Sequence, residues 1–201
     1  FYDRESTAHK DRFAAKVYAL TGECMRKAGE LGFVGVAVPE AYGGLGMGFV
    51  STCLTCDYIS SGTGSFSTAF GAHTGIGTMP ITLYGNEEQK QKYVPKLASG
   101  EWFGSYCLTE PSAGSDANSG KTKAVLSQDG KTYKITGQKM WISNAPFAQV
   151  AVVWAKNEEG RIHGLLVERG MEGFTTPETN GKLSLRASAT GELVFDNVKI
   201  H

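Results

Sequence analysis

The sequence predicts an α+β fold, with an all-helical N-terminal domain followed by a β domain. Residues 1–101 carry apolar side chains at helical spacing, whereas residues 102–201 carry short alternating runs between turn signals. Six such runs lie within the second half, a density typical of an antiparallel barrel or sandwich. We therefore predict a helical domain over residues 1–101 and a β domain over residues 102–201.

Three helices are predicted before residue 85. Residues 5–27 are polar with spaced apolar positions, which favours one or two surface helices. Residues 48–61 place Phe49, Cys53, Cys56 and Ile59 at helical spacing. Residues 65–84 are rich in Gly, Ala and Thr, so this helix has little side-chain bulk and is expected to lie buried.

A further helix is predicted after Asn86. Asn is a favourable N-cap residue, and Gln89 stands three positions later, as in a capping box. Gly100 is expected to end this helix because glycine readily adopts the left-handed conformation found after helix C-termini.

The second half of the chain predicts short strands joined by tight turns. Residues 128–131, Gln-Asp-Gly-Lys, favour a hairpin turn, since Asp-Gly tolerates the positive φ that such turns require. The predicted strands cover residues 103–108, 122–127, 133–136, 150–156, 162–168 and 193–200.

Composition excludes several function classes. The 20 basic and 20 acidic residues balance, which argues against nucleic acid as the main partner. No apolar run reaches the length of about 18–20 residues that a membrane helix needs, and no leader peptide is predicted. The four cysteines do not form a disulfide pattern, so a reducing compartment is expected.

One stretch has the chemistry of a ligand loop. Residues 106–116 read Tyr-Cys-Leu-Thr-Glu-Pro-Ser-Ala-Gly-Ser-Asp, a strand pattern that stops at Pro111. Small residues let successive backbone N–H groups approach an anion, and three hydroxyls lie nearby. On residue types alone, the stretch fits either a phosphate-bearing ligand or a tight loop with capping serines.

A second stretch narrows this choice. Residues 137–144 read Gly-Gln-Lys-Met-Trp-Ile-Ser-Asn, and together with residues 106–116 they resemble the flavin-binding signatures of the acyl-CoA dehydrogenase family. Residues 39–46, 84–101 and 182–190 also resemble segments of that family, in the family's order. The resemblance therefore covers nearly the whole chain.

The resemblance implies FAD as cofactor and assigns a set of contact residues. In the family, the segments that correspond to the two signatures lie along the flavin, bond to its pyrimidine side and N5, and approach its pyrophosphate. The implied cofactor-binding residues are Tyr106, Cys107, Leu108, Thr109, Gly114, Ser115, Trp141, Ile142 and Ser143. Trp141 corresponds to the tryptophan that packs on the flavin ring and Ser143 to the N5 donor, while Ser115 is also implied in binding the CoA part of the substrate.

We expect no catalytic residue in this chain. In the family, the carboxylate that removes the α-proton belongs to a C-terminal helical domain, and the chain ends at His201, where that domain would begin. The chain alone is therefore expected to be inactive or nearly so. Glu110 invites an acid–base interpretation, but a structural carboxylate held by backbone donors is the favoured prediction.

Three other motifs have plainer interpretations. Cys53 and Cys56 have redox or zinc-ligand spacing, but no second pair follows, so buried core thiols are predicted. Residues 114–122 fail the spacing of a nucleotide phosphate loop. His73 is predicted to be buried or to line a pocket, where contact with the acyl end of a substrate stays open.

The resemblance also implies a substrate and partners. These are a fatty acyl-CoA converted to a trans-2-enoyl-CoA, an electron-transfer flavoprotein, and further copies of the chain in a dimer or tetramer. Residues 153–160 and 182–190 look glutaryl-type, yet Ser67 stands where that type has an arginine, which favours an uncharged acyl chain. Residues 116–123 instead resemble the long- and very-long-chain branch of the family, so a medium-to-long chain is expected.

The alternatives are a glutaryl-CoA-type dehydrogenase, an acyl-CoA oxidase, and a non-catalytic module that binds flavin or acyl-CoA. The expected compartment is the cytoplasm in a bacterium or the mitochondrial matrix in a eukaryote.

Overall fold

The computed structural model describes residues 18–200, which form a helical region followed by one sheet. The predicted fold class is confirmed. The part of the first predicted helix over residues 5–17 lies outside the described residues. The described helices are α1 (Tyr18–Glu30), α2 (Phe49–Ser60), α3 (Gly64–Gly71), α4 (Met79–Tyr84) and α5 (Glu87–Ala98), with a short 3₁₀ turn at Glu40–Tyr42.

Helix α5 begins and ends as its sequence predicts. The Asn86 side chain accepts a hydrogen bond from the Gln89 N–H at 2.8 Å, and the Gln89 side chain accepts one from the Asn86 N–H at 3.0 Å. This reciprocal pair is a complete capping box. Gly100 has φ +74°, the left-handed conformation that stops the helix.

Residues 64–84 form one continuous helical segment with a wider turn in its middle. Helices α3 and α4 are joined by a π-helical stretch, Ala72–Thr78. There the backbone approaches strand β1 so closely that a Cβ on Gly77 would lie 2.8 Å from the carbonyl carbon of Gly104. The sequence predicted that this helix, with its small side chains, lies buried. The small residues allow its backbone to pack directly against the backbone of β1.

One prediction about helix α2 is wrong. Its cysteines were expected to be buried core thiols, but Cys53 is exposed and Cys56 is only half-buried. Phe49 is 82% exposed, and Ile59 is the buried residue of this helix. The helix itself was predicted correctly. However, it packs through the face that carries Thr52, Cys56 and Ile59, and not through the face of Phe49 and Cys53.

The second half forms a single seven-stranded sheet. Its strand order is β1-β4-β2-β3-β7-β6, and β5 pairs with the other edge of β4. The strands are β1 (Gly104–Cys107), β2 (Lys123–Leu126), β3 (Tyr133–Ser143), β4 (Val150–Lys156), β5 (Ile162–Glu168), β6 (Phe174–Thr175) and β7 (Thr190–Ile200).

The sheet is mixed, which corrects the predicted antiparallel arrangement. Strand β4 pairs parallel with β1 and, at its end, with β2. The β2–β3 hairpin lies between β1 and β4 in sequence and supplies the long connection that a parallel pair requires. Short turns predicted the antiparallel pairs correctly, but they do not reveal pairing between strands distant in sequence.

Helices and sheet share much of their core. One apolar cluster lies within the sheet, around Ile135, Val153 and Phe195. Two others combine helical residues with strand and loop residues, for example Leu97 with Val150 and Val152. The boundary at residue 101 stays a prediction.

Candidate functional site

The two signature stretches lie side by side at the end of β1. The Met140 N–H donates to the Thr109 carbonyl at 2.9 Å, and the Lys139 ammonium donates to the Leu108 carbonyl at 3.0 Å. The chain segment that follows β1 thus contacts the irregular part of β3. Residues that are 30 positions apart in sequence therefore form one surface.

Trp141 has an unusual backbone and an unusual exposure. Its φ is +58°, a rare value for a bulky side chain, and 68% of its surface is exposed. The pairing of β3 with β7 shifts register between Lys139 and Ile142, so Trp141 lies in a bulge. Strained backbone of this kind is found preferentially at functional sites.

Both signature stretches carry hydroxyl side chains. Thr109 and Ser143 are half-buried, and within residues 18–200 neither side chain has a hydrogen-bond partner. Ser115, on the exposed loop that follows β1, also has none in that range. These three hydroxyls are available to a ligand.

The loop after β1 is closed by its own backbone. Glu110 and Ala113 exchange both N–H···O=C bonds, at 3.0 and 3.1 Å. A Cβ built on Gly114 would meet no atom within 4 Å, so packing within the chain does not require glycine there. A glycine at this position would allow a ligand to approach the backbone closely.

The remaining predicted residues differ in burial, because successive side chains in a strand point to opposite faces of the sheet. Tyr106 is half-buried and packs on Trp154 with ring centroids 5.8 Å apart, and Leu108 is also half-buried. Cys107 is fully buried, and burial raises the pKa of its thiol to about 12. Cys107 and the buried Ile142 therefore offer a ligand only their main chains.

Glu110 is a structural carboxylate, as predicted. It is buried, and its oxygens accept hydrogen bonds from the backbone N–H groups of Lys121 and Thr122. Burial acts to raise the pKa of this carboxyl, but the hydrogen bonds from Lys139 and the backbone outweigh burial and lower it. An ionised carboxylate with this many donors is a poor candidate for a catalytic base.

Sequence reasoning missed Lys139, the partner of Glu110. The two side chains form an ion pair at 2.8 Å, and both are almost fully buried. A signal was present, because Lys139 lies four residues after the buried Ile135, on the side of the strand that alternation directs inward. A lysine in such a place requires a buried acceptor.

His73 is buried, as one of its two predicted placements requires. Its Nδ1 accepts from the Gly104 N–H at 3.0 Å, so its Nε2 carries the proton and donates to the Leu97 carbonyl at 3.0 Å. Burial lowers the pKa of the imidazole to about 4. With both ring nitrogens bonded to the backbone, His73 is not available to a substrate.

A second feature of possible ligand chemistry is an apolar cavity of about 110 Å³ beneath helix α2. Its lining contains no charged side chain. The lining residues are Phe33, Val34, Val36, Ala37, Val38, Thr52, Thr55, Cys56, Phe70, Gly71, Thr74, Gly75 and Met79.

Two other kinds of feature are absent from residues 18–200. No cluster of three or more His, Cys, Asp or Glu side chains in this range could hold a metal ion. None of the helices in the same range is long and apolar enough to cross a membrane.

Known proteins resemble the chain along its whole length. Residues 1–101 match the N-terminal domain of acyl-CoA dehydrogenase, and residues 105–198 match its middle domain. A probable acyl-CoA dehydrogenase of Bacillus subtilis (strain 168) is 42% identical over 200 residues, which cover 100% of this chain and 34% of that protein. The mitochondrial isovaleryl-CoA dehydrogenase of Solanum tuberosum is 43% identical over 173 residues, covering 84% and 42%.

Solved structures agree. The acyl-CoA dehydrogenase from Bacillus anthracis complexed with FAD has a TM-score of 0.95 at 38% identity, covering 99% of this chain and 34% of that chain. Glutaryl-CoA dehydrogenase from Mycobacterium smegmatis has a TM-score of 0.84 at 38% identity, covering 90% and 46%. The chain thus spans less than half the length of each of these relatives. It belongs to the acyl-CoA dehydrogenase family.

Proposed function

We propose that this chain carries the flavin- and thioester-contacting part of an FAD-dependent acyl-CoA dehydrogenase. The observation that carries the proposal is Trp141, a strained and exposed indole. It stands two residues before Ser143 and next to Met140, whose N–H donates to the Thr109 carbonyl, and neither hydroxyl has a partner within residues 18–200. An indole exposed at this level leaves an apolar face in water unless a flat partner covers it. A flavin ring is such a partner.

The residues present fit FAD in three respects. The indole of Trp141 provides a stacking surface, and the half-buried hydroxyls of Thr109 and Ser143 provide donors for ring heteroatoms. Gly114 leaves its backbone open to a pyrophosphate, and Ser115 adds a hydroxyl on the same loop. We assign these residues, with the main chain of residues 106–108 and 142, to the cofactor.

Bound FAD would supply the hydride acceptor for converting an acyl-CoA to a trans-2-enoyl-CoA. The role of this chain is to orient the flavin and the thioester substrate and to exclude water from the site. The Ser143 hydroxyl would donate to the flavin and favour negative charge on it, and Trp141 would shield that side of the site from solvent.

The base that removes the α-proton is proposed to come from outside residues 18–200. Glu110, the carboxylate that belongs to the signature, is buried and engaged by Lys139 and two backbone donors. It cannot change partners to take a substrate proton without leaving Lys139 unpaired in the interior.

The substrate class that the helical region favours is an uncharged acyl chain. Residues 60–78 contain no Lys or Arg, and the Ser67 hydroxyl is bonded to the Gly64 carbonyl. Burying an unpaired distal carboxylate would be very unfavourable. The apolar cavity beneath α2 is our candidate for part of the acyl site, and a medium-to-long chain is the proposed length.

The resemblance further supports an electron-transfer flavoprotein as acceptor and self-association into a dimer or tetramer, both as parts of the proposal.

Flavin retention tests the proposal directly. We expect the purified chain to take up FAD with a structured visible band, and an uncharged acyl-CoA such as octanoyl-CoA to perturb that band more than glutaryl-CoA does. Absence of FAD binding would contradict the proposal. Bleaching of the band by acyl-CoA under anaerobic conditions would place a working base within the chain and overturn the assignment of Glu110.

A further inference from the structure

A single buried ion pair connects all the segments assigned to the cofactor. The Lys139 ammonium donates to the Leu108 carbonyl, at the end of β1, and to Glu110 Oε1. Glu110 in turn accepts from the N–H groups of Lys121 and Thr122, which follow the loop that carries Gly114 and Ser115. Trp141 stands two residues after Lys139, within the bulge.

We infer that Lys139 and Glu110 are positioning residues for the cofactor, acting through the backbone they hold together. The inference rests on the proposed binding of FAD at these segments. Lys139 sets the distance between the strand end at Leu108 and the bulge at Trp141, and Glu110 sets the position of the loop between them.

The Lys139–Glu110 pair acts indirectly, through the backbone, and does not itself contact a ligand. Lys139 is 2% exposed and Glu110 is 4% exposed at their side chains. The cavity beside them has a volume of only about 10 Å³, which is too small for a flavin or a thioester. An influence on cofactor binding must therefore pass through Leu108, Thr109 and the bulge.

The geometry explains why a charged pair is used here. Two N–H groups, from Lys121 and Thr122, face one carbonyl, from Leu108, across the interior. A carboxylate satisfies the two donors and an ammonium satisfies the carbonyl, and each cancels the charge of the other. Removing one member leaves a buried charge, so the informative variants remove both charges.

The test compares variants of the full chain after FAD has been stripped. Lys139→Met removes the ammonium, and Lys139→Met/Glu110→Gln removes both charges while a side-chain oxygen still accepts from Lys121 and Thr122. Leu20→Ala, a core change in α1 whose apolar cluster contains no residue of the two signature stretches, is the control for stability. FAD affinity is measured by flavin fluorescence, and the Met140 amide is followed by hydrogen exchange without FAD.

We expect the double variant to bind FAD about 10- to 100-fold more weakly, the range in which loss of a supporting side chain typically weakens a bound group. The Met140 amide, which bonds to Thr109, should exchange faster. Leu20→Ala should change FAD affinity by less than about threefold, because its apolar cluster contains no residue of the signature stretches.

Equal FAD affinity in the wild type and the double variant would overturn the positioning role. So would a loss in the double variant no larger than in Leu20→Ala at comparable melting temperatures, since that result indicates stability alone. Failure of the wild type to bind FAD is a different result, because it rejects the proposed function on which the inference rests.

Discussion

His73 and the Lys139–Glu110 pair are buried polar side chains that connect different regions of the molecule through hydrogen bonds to the backbone. His73 joins the π-helical stretch to the end of α5 and the start of β1. The ion pair joins the end of β1 to β3 and to the loop before β2. The first is neutral, whereas the second carries two full charges.

The difference follows from the backbone groups each must satisfy. His73 lies between one carbonyl, of Leu97, and one N–H, of Gly104, and a neutral imidazole offers one donor and one acceptor. The other region presents two N–H groups, which the Glu110 carboxylate accepts from, and one carbonyl, to which the Lys139 ammonium donates. Buried polar chemistry is therefore matched to the backbone groups left over by the fold.

The largest expected effect comes from splitting the ion pair. Lys139→Met should lower the free energy of unfolding by about 3–5 kcal/mol, because it leaves Glu110 charged and buried without its partner. Adding Glu110→Gln should recover much of that loss, and urea denaturation of the three proteins measures both changes. A double variant as unstable as Lys139→Met would contradict the explanation.

The second test concerns pH and His73. Its folded-state pKa of about 4 lies below the ordinary value of 6.5, so the unfolded state binds more protons between these values and stability falls as pH drops from 6.5 to 4. The full contribution is about 3 kcal/mol. The loss from Glu110, whose folded-state pKa is also lowered, should appear at lower pH, below the ordinary carboxyl value of 4.5.

Urea denaturation from pH 4 to 7 measures this dependence. His73→Gln should flatten the slope between pH 4 and 6.5, while His163→Gln, at an exposed position, should leave it unchanged. An unchanged slope in His73→Gln would show that another group is responsible.

A smaller effect tests the close packing beside His73. Gly77→Ala should destabilise by about 1–3 kcal/mol, because the added Cβ would stand 2.8 Å from the Gly104 backbone. Gly71→Ala is the matched control, since it lies in the same helical segment with φ −64° and open space around its Cβ. It should be neutral or stabilise by up to about 1 kcal/mol. Thermal unfolding of both variants compares them, and equal melting temperatures would refute the packing argument.

The smallest effect on stability is expected at Trp141. Trp141→Ala should change the free energy of unfolding by less than about 0.5 kcal/mol because the side chain is largely exposed. It should nevertheless weaken FAD binding several-fold, through loss of aromatic stacking worth about 0.5–1.5 kcal/mol. Fluorescence titration with FAD checks this, and unchanged affinity would remove Trp141 from the site.

Local sequence patterns predicted the structure correctly where that structure depends on residues close together in the chain. The capping box at Asn86, the stop at Gly100 and the hairpin turn before β3 all follow from residues a few positions apart. The parallel pairs of β4 and the exposed position of Cys53 did not follow, because they depend on which distant segments meet. Short-range patterns contain no information about that choice.

The candidate site shows the same division. Residue types alone predicted a hydroxyl-rich loop after a strand and a tryptophan in an alternating run downstream, and the family resemblance favoured a structural role for the Glu110 carboxylate. Tertiary structure decided that Lys139 faces Glu110, that Trp141 stands in a strained bulge, and that the Cys107 side chain lies in the core. These outcomes depend on strand register and bulges, and a shift of one residue in register reverses which side chains face the interior.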